Sequence, residues 1–377
     1  MREILSHLTQ QLPEAIAFLE KMVSLESPSF DKPLVDDFVR IVGTRFAGMG
    51  AEVEFVSAEK FGDNLIARFP GRSSERVLLL GHTDTVWPAG EIARRPFKIA
   101  GGRAFGPGVF DMKAGILLIS MAIAALQKAN GGLPKTVTVL LVSDEEVGST
   151  SSRAVTESEA SSCRAVFVLE PSLPGGALKT ARKGVGRFTL KVIGRAAHAG
   201  IDPENGINAI EEISHQILKL QKMTDAARGT IVTVGVVQGG IRSNVVPAEA
   251  AAEIDIRISS MEEAERMTKT IKALSAELSG ARLEVRGSIT RPPMERTAET
   301  ERLFRVAQKV ASSLGIALTE GSTGGASDGN FTSALGIPTL DGLGAIGGGA
   351  HAIDEWVDIQ SLPQRAALLA GLITERL

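Results

Sequence analysis

Residues Val137–Gly148 read VTVLLVSDEEVG, and the fold follows from how that stretch is built. Val137, Val139, Leu140, Leu141 and Val142 form a near-continuous apolar run of strand length, the pattern of a strand covered on both faces. Ser143, Asp144, Glu145 and Glu146 follow where the chain leaves the sheet, and Gly148 permits a turn. Parallel α/β sheets gather their ligands at the carboxyl ends of strands. Adjacent side chains there point in different directions, so Glu145 and Glu146 can take different jobs, one holding a cation and the other handling a proton. Three crowded acids repel one another, and such a site makes most sense beside positive charge. Taken alone, DEE reads first as a solvated acidic turn, and only the rest of the chain changes that.

Outward from this strand, helices and strands alternate. The spacing predicts helices over 4–25 and 33–48, strands over 52–56, 64–69 and 76–86, and a helix over 111–129. A strand at 136–142, a Ser-rich helix near 150–160 and a strand at 165–169 continue the pattern of an open, mostly parallel sheet. After Lys183 the order becomes strand 187–193, helix 203–222, strands 230–237 and 248–258, helix 261–279 and strand 281–290. That β-α-β-β-α-β series is the split arrangement of ferredoxin-like domains. Helices at 297–314 and 360–376 and a strand at 338–340 return to the first style. The fold class expected is therefore α/β. A discontinuous domain of residues 1–183 and 292–377 would be interrupted by an inserted α+β domain over 184–291.

At 377 residues the chain is too long for one ordinary core, which agrees with two domains. A net charge of −3 gives no reason to expect nucleic acid or an anionic membrane as partner. No run is expected to reach the length needed to cross a bilayer, and the amphipathic start lacks the features of a secretory signal. Cys163 is the only cysteine, which excludes an internal disulfide and a thiolate metal cluster and makes a cytoplasmic location the default. Tyr is absent, and the five His are His7, His82, His198, His215 and His351.

Four further segments place a metal-capable side chain at a strand end, a helix start or a glycine-rich loop. His82 and Asp84 close VLLLGHTDTV on one face of an extended chain. Asp84 would accept the second ring N–H of His82 and fix the ligating tautomer. Asp111 would start a helix after the FGPGVF loop, its carboxylate held by backbone N–H groups. Glu170 ends AVFVLE, where Pro171 stops the ladder, and His351 lies in GGGAHAIDEW. Each segment alone reads as structural, with only GHTDTV evenly balanced between a buried hydrogen-bonded His and a ligand. Together, two imidazoles with three or four carboxylates and no thiolate suit a pair of Zn²⁺ ions sharing a bridging carboxylate. Imidazole is a poor ligand for Mg²⁺, whereas Co²⁺ or Mn²⁺ could substitute.

GHTDTV, FGPGVFDMKAG, SDEEVGS, LEPS, AAHAG and GGGAHAIDEW, in this order, resemble the dizinc aminoacylase and carboxypeptidase family. That family includes glutamate carboxypeptidase, acetylornithine deacetylase, succinyl-diaminopimelate desuccinylase and di- and tripeptidases. The resemblance covers nearly the whole chain. It implies a zinc-peptidase-like catalytic domain and an inserted lid or dimerisation domain. It also implies that His82, Asp111 and Glu170 surround one metal, that His351, Glu146 and Asp111 surround the other, and that Glu145 is the general base. LEPS carries Glu170 as in the carboxypeptidase and deacetylase branches, where several peptidase branches have Asp. Ala114 departs from the frequent DMKGG, a change of backbone packing rather than of chemistry.

Such a centre hydrolyses an amide: water activated by the metals attacks the carbonyl while Glu145 accepts and then returns a proton. His198 in GRAAHAG reads alone as a solvated loop residue. The resemblance implies instead that it reaches the active site of a partner subunit and stabilises the oxyanion, and with that a homodimer through the inserted domain. Asn244 in RSNVVP, Arg257 in EIDIRI and Arg291 in ITRPP are candidates to hold a substrate carboxylate. Arg257 reads equally as a strand-face ion pair with Asp255 or Glu253. Gly324 and Gly325 could offer backbone N–H groups or form a plain turn. Lys179, Arg182 and Lys183 form a basic cluster that is either solvated or reads an acidic side chain. His7 and His215 receive no role. The reading that follows is a hydrolase acting on a small peptide or N-acyl amino acid and releasing a C-terminal glutamate-like residue. A deacylase is the near alternative, and a catalytically silent binding protein is the alternative of another class.

Overall fold

A computed structural model describes residues 1–376. The chain divides into two compact units, one of Met1–Ala181, Arg296–Ser322 and Ser327 onward, the other of Arg182–Glu295 with Thr323–Ala326.

The first unit is built on a six-stranded sheet in the order Glu52–Val56, Asn64–Phe69, Leu133–Val142, Gly71–His82, Ala165–Val168, Thr339–Leu340. The last four of these are mutually parallel, and the first two join antiparallel at one edge. The apolar runs predicted these buried strands: Val139 to Val142 and Val77 to Leu80 are shielded from water on both faces. Register then positions the chemistry. His82 lies opposite Val142, and Leu80 lies opposite Val168. The GHTDTV, SDEE and LEPS segments therefore leave three neighbouring parallel strands at the same end.

The helix Ala114–Asn130 covers one face and is almost wholly buried, packing against the closing helix Leu362–Thr374. Each of its buried Leu or Ile side chains contributes about 1.5–3 kcal/mol relative to an exposed one. With its lead-in turn, Val109–Asn130 is a 22-residue segment long and apolar enough to span a bilayer, contrary to the expectation that no run is long enough. Its window is 89% buried inside the protein, because its sheet and helix neighbours supply the apolar surroundings. Gly115 faces the Leu169 carbonyl, where a Cβ would sit 2.2 Å from the oxygen, so glycine is needed at that place. Ala114 is accommodated beside it, buried.

Several local expectations change. The first predicted helix is two, Arg2–Gln10 and Leu12–Val23, because Pro13 lacks an N–H and sits in the first turn of the second. The helix expected from Asp111 begins at Ala114, after an irregular turn with non-helical dihedrals at Asp111 and Met112. A small antiparallel sheet not foreseen from the sequence joins Gly347–Gly348, Trp356–Asp358, Arg103–Phe105 and Lys98–Ala100. Strands of two or three residues carry too little periodicity to be read.

The second unit is a four-stranded antiparallel sheet in the order Ile231–Gly239, Glu249–Ile258, Gly184–Ile193, Arg282–Arg291. Two helices, Ala209–Gln221 and Met261–Lys272, pack against it, shorter than the expected 203–222 and 261–279 because the first starts only after its capping side chain and the second ends at Lys272. This is the ferredoxin-like order. Strict alternation makes the sheet one-sided: Phe188, Leu190 and Val192 are buried while Arg187 and Thr189 are exposed. Asn208 and Ser260 cap the helices through their side chains, which explains starts at 209 and 261.

Candidate metal centre

His82, 1% exposed, brings Nε2 to 3.1 Å from Asp111 Oδ1 and 3.5 Å from Glu170 Oε1. His351 brings its Nε2 to 3.1 Å from Glu146 Oε1 and 3.5 Å from Asp111 Oδ2. Asp111 thus presents one oxygen to each imidazole, as a shared ligand would. One ligand atom each of His82, Glu145 and Glu170 lies within 4.8 Å of the others, and the same holds for His82, Asp111 and Glu146. Six residues from five segments converge at the end of the sheet.

Buried carboxylates are costly unless compensated by positive charge. The cluster meets that demand through its imidazoles. Burial opposes a charge on His82, but Asp111 and Asp84 outweigh it and raise its pKa well above the usual value. Hydrogen bonds to Asp111 and Glu146 push His351 up to about 10. Burial pulls Asp111 upward, yet His351 and His82 hold it low, whereas burial raises Glu146. Metal ions bind where such protons would otherwise sit. Two imidazole nitrogens and several carboxylates without thiolate are a donor set that fits a pair of divalent ions.

The supporting shell differs from the sequence reading at two places. Asp84 was expected to receive the second N–H of His82. Nδ1 of His82 makes its shorter contact, 2.9 Å, with the Asp84 backbone carbonyl and lies 3.5 Å from the Asp84 carboxylate, which shares the ring N–H rather than holding it alone. That carboxylate accepts the backbone N–H groups of Glu145 and Glu146, both at 3.2 Å, and the Ser29 hydroxyl at 2.7 Å. It therefore shapes the turn that carries both glutamates. Asp111 was expected to be held by helix N–H groups. Its own N–H donates to Glu355 Oε1 at 2.9 Å, because the helix begins only at Ala114. Glu355 was missed, although it stands four residues beyond His351 in GGGAHAIDEW. Asp144 turns away from the cluster and is fully buried, accepting the N–H and hydroxyl of Ser151. His351 adopts a φ of 62°, a left-handed conformation uncommon for a side-chain-bearing residue.

The remaining candidates lie in the second unit, except Lys179, which belongs to the first. His198 is exposed, its Nδ1 accepting the Gly200 N–H at 3.1 Å, and its segment pairs with that of Val245. The Asn244 carbonyl accepts the Ala199 N–H at 3.1 Å, so His198 and Asn244 stand on adjoining segments. Arg257 is matched by Asp255, Nε to Oδ1 at 2.7 Å and Nη2 to Oδ2 at 3.2 Å. The ion-pair alternative is the one observed, since two same-face positions on a strand meet directly. Arg291 is buried at the end of its strand, opposite Val185. Gly324 and Gly325 form an exposed turn whose Gly325 carbonyl accepts from Arg182 at 3.2 Å. Lys179 and Arg182 are buried, which rules out a plain solvated cluster.

A profile of Peptidase family M20/M25/M40 matches residues 78–375. The chain is 29% identical over 377 residues to carboxypeptidase G2 of Pseudomonas sp. strain RS-16, covering 97% of this chain and 90% of that one. It is 28% identical over 326 residues to succinyl-diaminopimelate desuccinylase of Rhodospirillum centenum, covering 81% and 82%. Aminopeptidase PepT from Bacillus cereus superposes with a TM-score of 0.83 at 22% identity, over 96% of this chain and 98% of that one. The Bacillus subtilis YxeP protein, described as a dinuclear metal-binding peptidase, superposes with a TM-score of 0.75 at 19% identity, over 97% and 98%. The match runs through every segment that builds the centre, and the chain belongs to peptidase family M20/M25/M40, as a metallohydrolase.

Proposed function

We propose that the protein is a dizinc hydrolase that cleaves the amide bond of an N-acyl or peptidyl amino acid and releases a C-terminal, glutamate-like residue. The observation that carries this reading is the placement of Asp111 between the imidazoles of His82 and His351, with Glu146 and Glu170 completing the two sides. His82, Asp111 and Glu170 would hold one ion, and His351, Glu146 and Asp111 the other. Bound there, the metals supply Lewis acidity and lower the pKa of water. Glu145, on a turn anchored by Asp84, accepts the proton of the attacking water and delivers it to the departing amine. His198 donates to the developing oxyanion from a second copy of the chain, and the inserted unit serves as dimer contact and lid in a cytoplasmic homodimer. Arg291 and Asn244 receive the substrate carboxylate, with the Gly324–Gly325 turn as a further donor.

Likeness to carboxypeptidase G2 over almost the full length of both chains favours the carboxypeptidase branch. Likeness to a desuccinylase supports a second reading, removal of an acyl group from an amino acid side chain or α-amine. A hydrolysis screen of N-acyl amino acids varied at the C-terminal residue, with metal-loaded enzyme, separates them. Release of free glutamate from acyl-glutamates is expected. Preference for N-acetyl or N-succinyl basic substrates would shift the assignment to the deacylase. Absence of turnover with both Zn²⁺ and Co²⁺ would refute hydrolysis.

A further inference from the structure

We propose that Glu355 is a positioning residue of the metal centre, a single buried carboxylate that locks together the three loops carrying His82, Asp111 and His351. This rests on the metal-pair reading above.

Glu355 is 1% exposed, and its two oxygens accept four N–H donors. Oε1 takes the backbone N–H groups of Phe110 at 2.8 Å and Asp111 at 2.9 Å. Oε2 takes the Gly108 N–H at 2.8 Å and the Trp87 indole N–H at 3.0 Å. Holding the amide of Asp111 itself fixes the direction in which its Cα–Cβ bond leaves the chain. That direction decides whether one carboxylate can face both imidazoles. Trp87 lies on the segment that follows His82 and Asp84, so the second oxygen ties in the first imidazole's loop.

The lock is doubled. Arg95 stacks 3.9 Å above the Trp87 ring, and its Nη1 donates to the Ile353 carbonyl at 3.0 Å. Glu91 receives its Nε at 2.6 Å. The loop of His351 is thereby joined to the 87–95 segment through both Glu355 and Ile353. Gly108 and Phe110 belong to an irregular turn rather than a helix, so their N–H groups need an acceptor from elsewhere, and the carboxylate supplies it. Outer partners of metal ligands usually act through one ligand. Here the same group would set the spacing of two sites at once.

The substitution Glu355→Gln keeps the shape but turns an NH₂ group toward two of the four donors. It is tested by titrating metal-free protein with Co²⁺, followed by visible absorption, and with Zn²⁺ against a competing chelator. The melting temperature of the metal-free protein is recorded alongside. Two ions bound by the unaltered protein, with affinity falling 10- to 100-fold in the variant and an altered cobalt spectrum, is the expected result. Equal affinity within threefold overturns the positioning role, as does a loss that merely tracks a lower melting temperature while the cobalt spectrum stays unchanged. Fewer than two ions on the unaltered protein would instead overturn the metal-pair reading itself. Amide exchange on the unaltered, metal-free protein gives a test without any variant. Protection of the Phe110 and Asp111 amides is expected, and exchange at the rate of open loops refutes the lock.

Discussion

Replacing Asp84 by Asn separates two accounts of what that residue does. Its carboxylate accepts the N–H groups of Glu145 and Glu146 and the Ser29 hydroxyl, and all of these are buried or half-buried. An amide of the same shape has only one oxygen, so one of the two turn N–H groups must face an NH₂ group. An unsatisfied buried donor costs about 1–3 kcal/mol, and a stability loss of about 2 kcal/mol is expected. For a unit of this size that is a fall in Tm of about 4–8 °C. If the same distortion is felt at the Glu145 carboxylate during proton transfer, kcat drops about 30-fold. The ring of His82 is oriented by the Asp84 backbone carbonyl at 2.9 Å, which the substitution leaves in place. Zn²⁺ affinity should therefore change much less than kcat. Calorimetric melting of metal-free protein, chelator-competition titration and steady-state kinetics measure the three quantities. Loss of Zn²⁺ affinity with Tm and kcat retained would refute this reasoning and return Asp84 to the role of direct His82 partner.

Glu263 accepts from Arg266, Thr230 and Arg228, and Arg266 leads in holding its pKa at about 2, against desolvation that would raise it. A carboxyl held low adds stability above its unfolded pKa and loses it as pH falls toward the folded value. Partly solvated arginines limit the effect to about 2 kcal/mol. Denaturant unfolding at pH 6 and pH 3 should show that loss in the unaltered chain and little of it in Glu263→Gln. Gly115→Ala should destabilise by about 1–3 kcal/mol in thermal melts, because a Cβ 2.2 Å from the Leu169 oxygen outweighs the helix-propensity gain of about 1 kcal/mol. Arg365 is buried and donates to the carbonyls of Gly344, Gly176 and Gly342. Arg365→Met should cost about 3–5 kcal/mol and weaken metal binding at Glu170, whose carbonyl accepts the Gly344 N–H. Unfolding curves and Zn²⁺ titration check both parts.

The parallel strands were legible because burial on both faces writes an unbroken apolar run, and the ligand-bearing ends follow from where Val142 and Leu169 stop. The inserted unit was legible for the opposite reason, since a one-sided sheet writes strict alternation through Phe188, Leu190 and Val192. What a side chain does for the backbone was not legible. Glu355 carries no periodic signature, and its four donors come from residues 244 to 268 positions away. Asp84 lay in the right motif, but its spacing from His82 cannot tell a carboxylate contact from a carbonyl contact. The irregular turn at Asp111 read as helix because Met112, Ile116 and Ile119 keep helical spacing through it. For Arg257, strand alternation left an ion pair and a ligand contact equally open, and only coordinates separate them.

The first unit takes its strands and helices from both ends of the chain. The closing helix Leu362–Thr374 packs on Ala114–Asn130 and on the opening helix Arg2–Gln10, and His351 lies just upstream of it. During synthesis, residues 182–295 can acquire their own core while the ribosome is still making the remainder. The segments bearing His82, Asp111, Glu146 and Glu170 must wait, already emerged but missing their last imidazole. A nascent chain thus exposes an acid-rich half-site and an uncovered apolar helix until residues 351–374 emerge.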